Sequence, residues 1–158
     1  IVNNWDEETL RNIFLGYGEE KFSRVIAKKI VELRKEKPIE STFDLVEIIK
    51  KAVPVWYRHK RIHFATKIFQ ALRIAVNDEI GALEEGLEKG FQRLEHWGRM
   101  AVISFHSLED RTVKRYFRDL GNEKLVYIVT KKPIKPSRKE ILRNPRSRSA
   151  KLRIIEKI

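Results

Sequence analysis

The sequence predicts an α/β fold in which a helical first half precedes a second half that carries a small sheet. Apolar residues recur at helical spacing from Asp6 to about Leu94, whereas short apolar runs typical of strands appear only after Gly98. With 158 residues, the chain is long enough for one ordinary domain or for two small pieces that share a core.

Several helices are predicted in the first half. The apolar stripes that begin at Leu10 and Phe22 each occupy one helical face. Ser41 and Asp44 have the spacing of a capping box, which predicts the start of a third helix that Pro54 ends.

The segment from Arg61 to Leu94 is expected to form one long helix or two that abut. Its apolar stripe is continuous, although Gly81, Gly86 and Gly90 each weaken a helix.

Three strands are predicted in the second half. Met100–Phe105 is a short apolar run typical of buried, often parallel strands. Ser107–Asp110 has capping-box spacing and is expected to begin a helix that ends near Gly121. Leu125–Val129 and Lys151–Ile155 complete a sheet that is narrow for a doubly wound fold, as if it were half of a larger one.

The charge balance points to a polyanionic partner. The chain has 34 lysines and arginines against 22 acidic residues, a net charge of +12, which favours RNA or DNA ahead of membranes. Because the chain has no cysteine, disulfides, thiol nucleophiles and cysteine-ligated metals are excluded. No apolar run approaches the roughly 18 residues of a membrane span, so we expect a cytoplasmic protein.

Two zones concentrate the positive charge. Residues 48–77 contain lysines, arginines and two histidines but no acid, and residues 131–153 are basic apart from Glu140. We interpret the second zone as a proline-stiffened loop that contacts phosphates, which gives affinity with little sequence specificity. The alternative is a solvated connection or a disordered excursion.

Most single-residue candidates have a structural alternative. His59 and His63 have helical metal-ligand spacing, but no carboxylate or third histidine completes a set, so no metal site is expected. His106 ends a strand just before a helix, where α/β sheets place ligand-contacting side chains, or it is simply packed there. Ser107 fits an N-cap better than a nucleophile. No glycine-rich phosphate loop is visible.

Three motifs occur in order: Phe69–Asn77, Val102–Lys114 and Asn144–Ser149, supported by Tyr17–Phe22. Together they resemble the bacterial small-subunit ribosomal RNA cytosine-N4 methyltransferases, which depend on S-adenosylmethionine. The resemblance runs essentially from end to end of the chain. One departure is Trp97, which precedes Gly98 where the family usually has a second glycine.

The resemblance implies a class I (Rossmann-like) methyltransferase sheet interrupted by a helical insert. Residues 1–75 are similar to the insert, which is thought to help hold RNA, and residues 76–158 to the C-terminal half of the sheet. The family's glycine-rich cofactor loop and its following acidic residue precede the point where this chain starts. No cofactor-binding residue is therefore expected here, although S-adenosylmethionine is the implied cofactor.

The resemblance also suggests roles for individual residues. His106 and Ser107 are the expected catalytic-site residues, as pocket walls near the target base. The expected RNA contacts, with Asn144 orienting the loop, are Arg73, Arg111, Asn144, Arg146 and Arg148.

Two functions remain open at this level. The chain is either part of a methyltransferase that modifies small-subunit ribosomal RNA or a stand-alone basic RNA-binding module derived from one. A third alternative is that a separate chain supplies the cofactor half. Because half a sheet should expose an apolar edge and face, we expect a homodimer or complementation by the missing half.

Overall fold

The chain divides after residue 79 into two units of structure. The computed structural model describes residues 1–158 and separates into a helical unit, Ile1–Glu79, and a sheet unit, Ile80–Ile158. Each unit has its own cluster of buried apolar side chains. None of the helices is both long enough and apolar enough to cross a membrane.

The helical unit contains five helices. They are α1 (Glu7–Gly16), α2 (Ser23–Leu33), α3 (Thr42–Ala52), α4 (Val55–Arg58) and α5 (Thr66–Asn77). The predicted capping box of α3 is confirmed: Ser41 Oγ accepts the Asp44 N–H, and the Asp44 carboxylate accepts the Ser41 N–H. The four-residue α4 follows Pro54 and was not predicted, because one turn is too short to show a periodic pattern.

The core of the helical unit follows the predicted stripes. Its largest fully buried side chains include Leu10 and Phe14 of α1, Ile26 and Ile30 of α2, and Ile68 of α5. Helical spacing is therefore sufficient to identify which faces this unit buries.

The apolar stripe between Arg61 and Leu94 belongs to two helices, α5 and α6 (Glu79–Gln92). The break falls at Asp78, whose φ of 47° places it in the left-handed region as the C-cap of α5. Asp tolerates this conformation better than most residues. Gly81, Gly86 and Gly90 instead lie within α6.

The sheet unit continues with a three-stranded antiparallel sheet. Its further elements are β1 (Arg99–Ser104), α7 (Ser107–Asn122), β2 (Val126–Ile128), α8 (Arg138–Arg143), a 3-10 helix (Pro145–Ser149) and β3 (Lys151–Lys157). The strand order is β1-β3-β2, with β3 antiparallel to both neighbours.

The apolar run of the first strand, which is typical of buried and often parallel strands, pairs antiparallel with β3 within this chain. β1 is an edge strand whose pairing is antiparallel, with Ala101 opposite Ile154. Alternate residues of β1 differ in burial: Met100 and Val102 pack in the core of the sheet unit, whereas Ile103 is 57% exposed. A short apolar run does not distinguish these arrangements, because pairing direction is decided by distant strands.

The basic segment after β2 is also more structured than predicted. Instead of a plain loop it contains α8 and the 3-10 helix. Ser137 Oγ accepts the Glu140 N–H and caps α8, so Ser137 and Glu140 provided a capping signal that the concentration of positive charge obscured. Ile134 forms an isolated bridge to Leu152 of β3.

Candidate functional site

A cavity of about 280 Å³ lies where β1 ends and α7 begins, and we call it the strand-end cavity. Its lining includes three cations and no acid. The lining residues are Phe105, His106, Ser107, Lys135, Arg148, Ser149, Ala150 and Lys151. A concave site with only positive charges suits an anionic ligand such as a phosphate group.

His106 forms part of the cavity wall and is fixed there by a capping box. Its Nδ1 accepts the Glu109 N–H at 3.2 Å, and Glu109 Oε2 accepts the His106 N–H at 3.2 Å. Because Nδ1 acts as an acceptor, the neutral ring carries its proton on Nε2. That atom is buried 3.3 Å from Glu109 Oε1 but makes no hydrogen bond. The ring is thus held in one orientation at the strand end.

The predicted capping box of α7 was displaced by one residue. His106, not Ser107, is the N-cap, and Ser107 is the first residue of the helix, exposed at the cavity. Serine is the commoner N-cap, and either Glu109 or Asp110 could supply the acid of a capping box. The tertiary structure decides between them because Asp110 is engaged by β3.

Asp110 ties α7 to the sheet behind the cavity. Its two carboxylate oxygens accept from Arg153 Nε at 2.7 Å and from Lys151 Nζ at 3.0 Å. Lys151 and Arg153 are two residues apart on β3, so both point toward α7. Burial acts to raise the pKa of Asp110, but hydrogen bonds and charges from Arg153 and Lys151 outweigh it and hold that pKa below its usual value.

The Asn144–Ser149 motif forms a tight 3-10 turn that presents two arginines. The carbonyl oxygen of Asn144 accepts the N–H of Ser147 at 3.0 Å and its Oγ at 2.8 Å. Ser147 is buried, whereas Arg146 and Arg148 are exposed. Turn geometry therefore depends on Ser147 together with the backbone of Asn144.

The structure brings some of the expected site residues together. His106, Ser107 and Arg148 share the strand-end cavity, whereas Arg146 and the exposed Arg111 are not among its lining residues. Arg73 belongs to the helical unit, where its Nε and Nη2 donate to the Glu79 carboxylate at 2.7 and 3.0 Å.

Sequence reasoning missed three contributors to this site. Lys135 and Lys151 line the cavity, and Asp110 positions Lys151. Lys135 and Lys151 were included in the basic zone, but a charge run does not reveal which members face one cavity. For Asp110, the only feature of the sequence that pointed to a role in the site was its place in the Val102–Lys114 motif.

A larger cavity in the sheet unit, of about 450 Å³, has the opposite character. Its lining includes the four carboxylates of Glu84, Glu85, Glu88 and Asp119, alongside Arg115. Like charges make this cavity unfavourable for a phosphate ligand, which leaves the strand-end cavity as the better nucleic-acid candidate.

Comparison with known proteins identifies related sequences over the whole chain. The family model described as the MraW methylase family matches residues 1–158. The chain is 54% identical over 158 residues to a ribosomal RNA small subunit methyltransferase H from Nostoc punctiforme, covering 100% of this chain and 51% of that protein. Proteins of the same name are similar in Sulfurihydrogenibium sp. (52% identity; 100% and 54% covered) and Brevibacillus brevis (46%; 100% and 55%).

The chain spans about half the length of the curated relatives it matches. The matching region nevertheless includes every motif on which the resemblance depended and both units of the structure. The chain belongs to the MraW methylase family.

Proposed function

We propose that this chain is part of an S-adenosylmethionine-dependent methyltransferase that modifies N4 of a cytidine in small-subunit ribosomal RNA. The observation that carries the proposal is the strand-end cavity, whose lining includes no acid and where His106 and Ser107 adjoin Lys135 and Arg148. The third cation of the lining, Lys151, is paired with Asp110. The relatives' names, which specify small-subunit ribosomal RNA, support this substrate class.

In this proposal the two units have different tasks. The helical unit corresponds to an insert that holds RNA, and the sheet unit to the C-terminal half of a class I methyltransferase sheet. The unpaired edge of β1 and the exposed side chains of Ile103 and Tyr127 offer a place for further strands and for apolar cover. A complementary half of the family's chain, or a second copy, would supply that cover.

The proposed chemistry relies on positioning. N4 of cytosine is a weak nucleophile because its lone pair is delocalised into the ring, so the enzyme must align the amine with the methyl group. Fixed walls and electrostatics contribute most of such an effect. His106 fits the role of a wall because its capping hydrogen bonds fix the ring, and Arg148 and Lys135 fit the role of phosphate contacts beside it.

Two features support the proposal that this chain does not itself hold S-adenosylmethionine. None of the glycines has a positive φ, and none of the three strands is followed by an acidic residue that could hold a ribose. We therefore propose that the cofactor binds through residues outside this chain, and we derive no step through it. Calorimetric titration of the cofactor into the 158-residue chain should give no binding heat, whereas saturable binding would contradict this part of the proposal.

The principal test uses the complete enzyme with small ribosomal subunits as substrate. His106→Ala should lower kcat/KM for methyl transfer, and His106→Asn should restore the helix cap without restoring the ring. Arg148→Ala should raise KM about 10-fold, the loss expected for one charge-assisted contact. Arg143→Ala, an exposed arginine of α8 outside the cavity lining, is the matched control.

Two results would contradict the proposed site. One is unchanged methylation in both His106→Ala and Arg148→Ala. The other is full activity in His106→Asn, because the histidine would then act only as a helix cap. If the complete protein binds ribosomal RNA but never transfers a methyl group, the alternative of a non-catalytic RNA-binding module is correct.

A further inference from the structure

A largely exposed tryptophan lies beside two lysines on the helical unit. Trp56 of α4 is 55% exposed. Lys21 Nζ lies 4.5 Å and Lys60 Nζ 5.2 Å from the centre of a Trp56 ring. Both ammonium groups contact aromatic rings and not carboxylates, so their charge is available to an anion.

The tryptophan is supported from within the unit. Its ring makes edge contacts with Phe22 and Tyr57, at centroid distances of 6.1 and 5.8 Å. Tyr57 is buried, and its hydroxyl donates to Glu20 Oε2 at 2.6 Å. The other oxygen of the fully buried Glu20 accepts the Phe22 N–H at 2.9 Å. This network orders the cluster in advance, which lowers the entropy lost when a ligand binds.

A cavity of about 320 Å³ adjoins these side chains. It is lined by Tyr57 and Lys60 together with Arg61, His63 and Lys67. His63 is itself ordered, since its Nδ1 accepts the Ala65 N–H and its ring stacks on Phe64 at 4.3 Å. None of the residues that line the cavity is acidic. Lys67 Nζ donates to the Glu19 carbonyl oxygen at 2.7 Å, so Lys60 and Arg61 are the cations that remain for a phosphate.

We propose that Trp56, Lys21, Lys60 and this cavity, together the Trp56 platform, bind an unpaired nucleotide of single-stranded RNA. The base stacks on the exposed indole, and the lysines move from the ring to the flanking phosphates. The proposal rests on the proposed function in taking RNA as the ligand. It adds a binding site in the helical unit that is separate in sequence from the residues of the strand-end cavity.

An exposed ring for stacking, beside lysines that no carboxylate neutralises, favours RNA over a lipid surface. Every base offers a π-face to an exposed aromatic ring, and neighbouring cations follow the backbone. An interfacial membrane anchor requires a longer amphipathic helix with a broad apolar face, whereas α4 has four residues.

The experiment measures binding of fluorescein-labelled octauridylate to the complete protein by fluorescence anisotropy. Trp56→Ala should weaken binding about 5- to 150-fold, the range for loss of one stacked base, and Trp56→Phe should recover most of it. Trp5→Ala, which removes another partly exposed tryptophan of the helical unit, is the matched control and should leave the affinity unchanged. Circular dichroism establishes that each variant is folded.

Two further measurements locate the binding site. An octamer containing 4-thiouridine should cross-link to the peptide that carries Trp56. The logarithm of the binding constant falls linearly with the logarithm of the salt concentration. The double variant Lys21→Ala, Lys60→Ala should make this slope less negative by about 0.7 for each phosphate that is no longer neutralised, whereas Trp56→Ala should leave the slope unchanged.

The proposal is overturned if Trp56→Ala binds octauridylate as tightly as the parent, or if the cross-link maps elsewhere. Binding of phosphatidylglycerol vesicles that depends on Trp56, without octauridylate binding, would also overturn it and identify a lipid surface. The outcome is separable from the proposed function, because loss of methyl transfer in His106 and Arg148 variants does not require any change at Trp56.

Discussion

The helical unit and the sheet unit bury their residues in different ways. The helical unit encloses a continuous apolar core with a single buried acid, Glu20, which is satisfied by Tyr57 and a backbone N–H. The sheet unit has a smaller core and relies on the Asp110 network between α7 and β3.

This difference reflects how the buried face of each unit is produced. In the helical unit, local spacing on each helix already produces the apolar faces that pack. In the sheet unit, β1 pairs with β3, so that Ala101 lies opposite Ile154. The two strands can pair only after the basic segment between them has brought β3 back to β1. The helical unit should therefore be sensitive to close helix approach, and the sheet unit to loss of its ion network.

The largest expected effect is at Asp110. Asp110→Ala leaves the nearly buried guanidinium of Arg153 without its carboxylate and should lower the free energy of unfolding by about 3 kcal/mol. Urea unfolding monitored by circular dichroism measures the change. The control, Asp119→Ala, removes an exposed acid from the same helix that pairs only with its neighbour Arg118, and should cost less than about 0.5 kcal/mol.

The same carboxylate predicts a pH dependence. Because the pKa of Asp110 is lower in the folded state than in the unfolded chain, its stabilising contribution is complete above the unfolded value. The contribution is lost as the pH falls below the ordinary carboxyl range, near about 4, and through the folded pKa. Asp110→Asn should unfold with a shallower acid dependence than the parent, and identical pH profiles would contradict the assignment.

A smaller loss of stability is expected from a substitution in the helical unit, at Gly18. A Cβ at this position would lie 2.7 Å from the carbonyl oxygens of both Phe14 and Lys67, so backbone atoms of α1 and α5 would have to move. Gly18→Ala should cost about 2 kcal/mol, within the range for overpacking. Gly16→Ala is the control, because nothing lies within 4 Å of its added Cβ and alanine favours the helix. Equal melting temperatures for the two variants would show that the close approach is unimportant.

The smallest expected change in stability concerns substitutions of Trp97. This residue has a φ of 65°, the left-handed conformation that a glycine would adopt without strain. Its ring stacks nearly parallel to Tyr127. Trp97→Gly and Trp97→Ala both remove the stack, but only glycine relieves the backbone, so the glycine variant should be more stable by about 1 kcal/mol.

The same pair of substitutions at a position with ordinary helical backbone serves as the control for the stability difference between glycine and alanine. At Gln92, the last residue of α6, the alanine variant should be at least as stable as the glycine variant. Denaturant unfolding of the four variants measures both differences. If alanine also exceeds glycine at position 97, the left-handed backbone carries no strain there.

The candidate site was only partly predictable from sequence. His106 was identified from its place between a strand and a helix, and Arg148 through motif resemblance; the structure places both at one cavity. The frame of the α7 capping box was misassigned because Glu109 and Asp110 compete for the same local role. Only the contacts of Asp110 with β3, more than forty residues later, decide which acid caps the helix.

The sequence by itself determined the helical stripes of the first half, the capping box at Ser41, the basic character and the family, because these depend on local spacing and ordered motifs. The tertiary structure alone decided that β1 is an antiparallel edge strand, that Lys135 and Lys151 join His106 at one cavity, and that Trp56 is exposed beside Lys21. These features arise from residues far apart in the chain, and local periodicity carries no information about which distant partner a side chain meets.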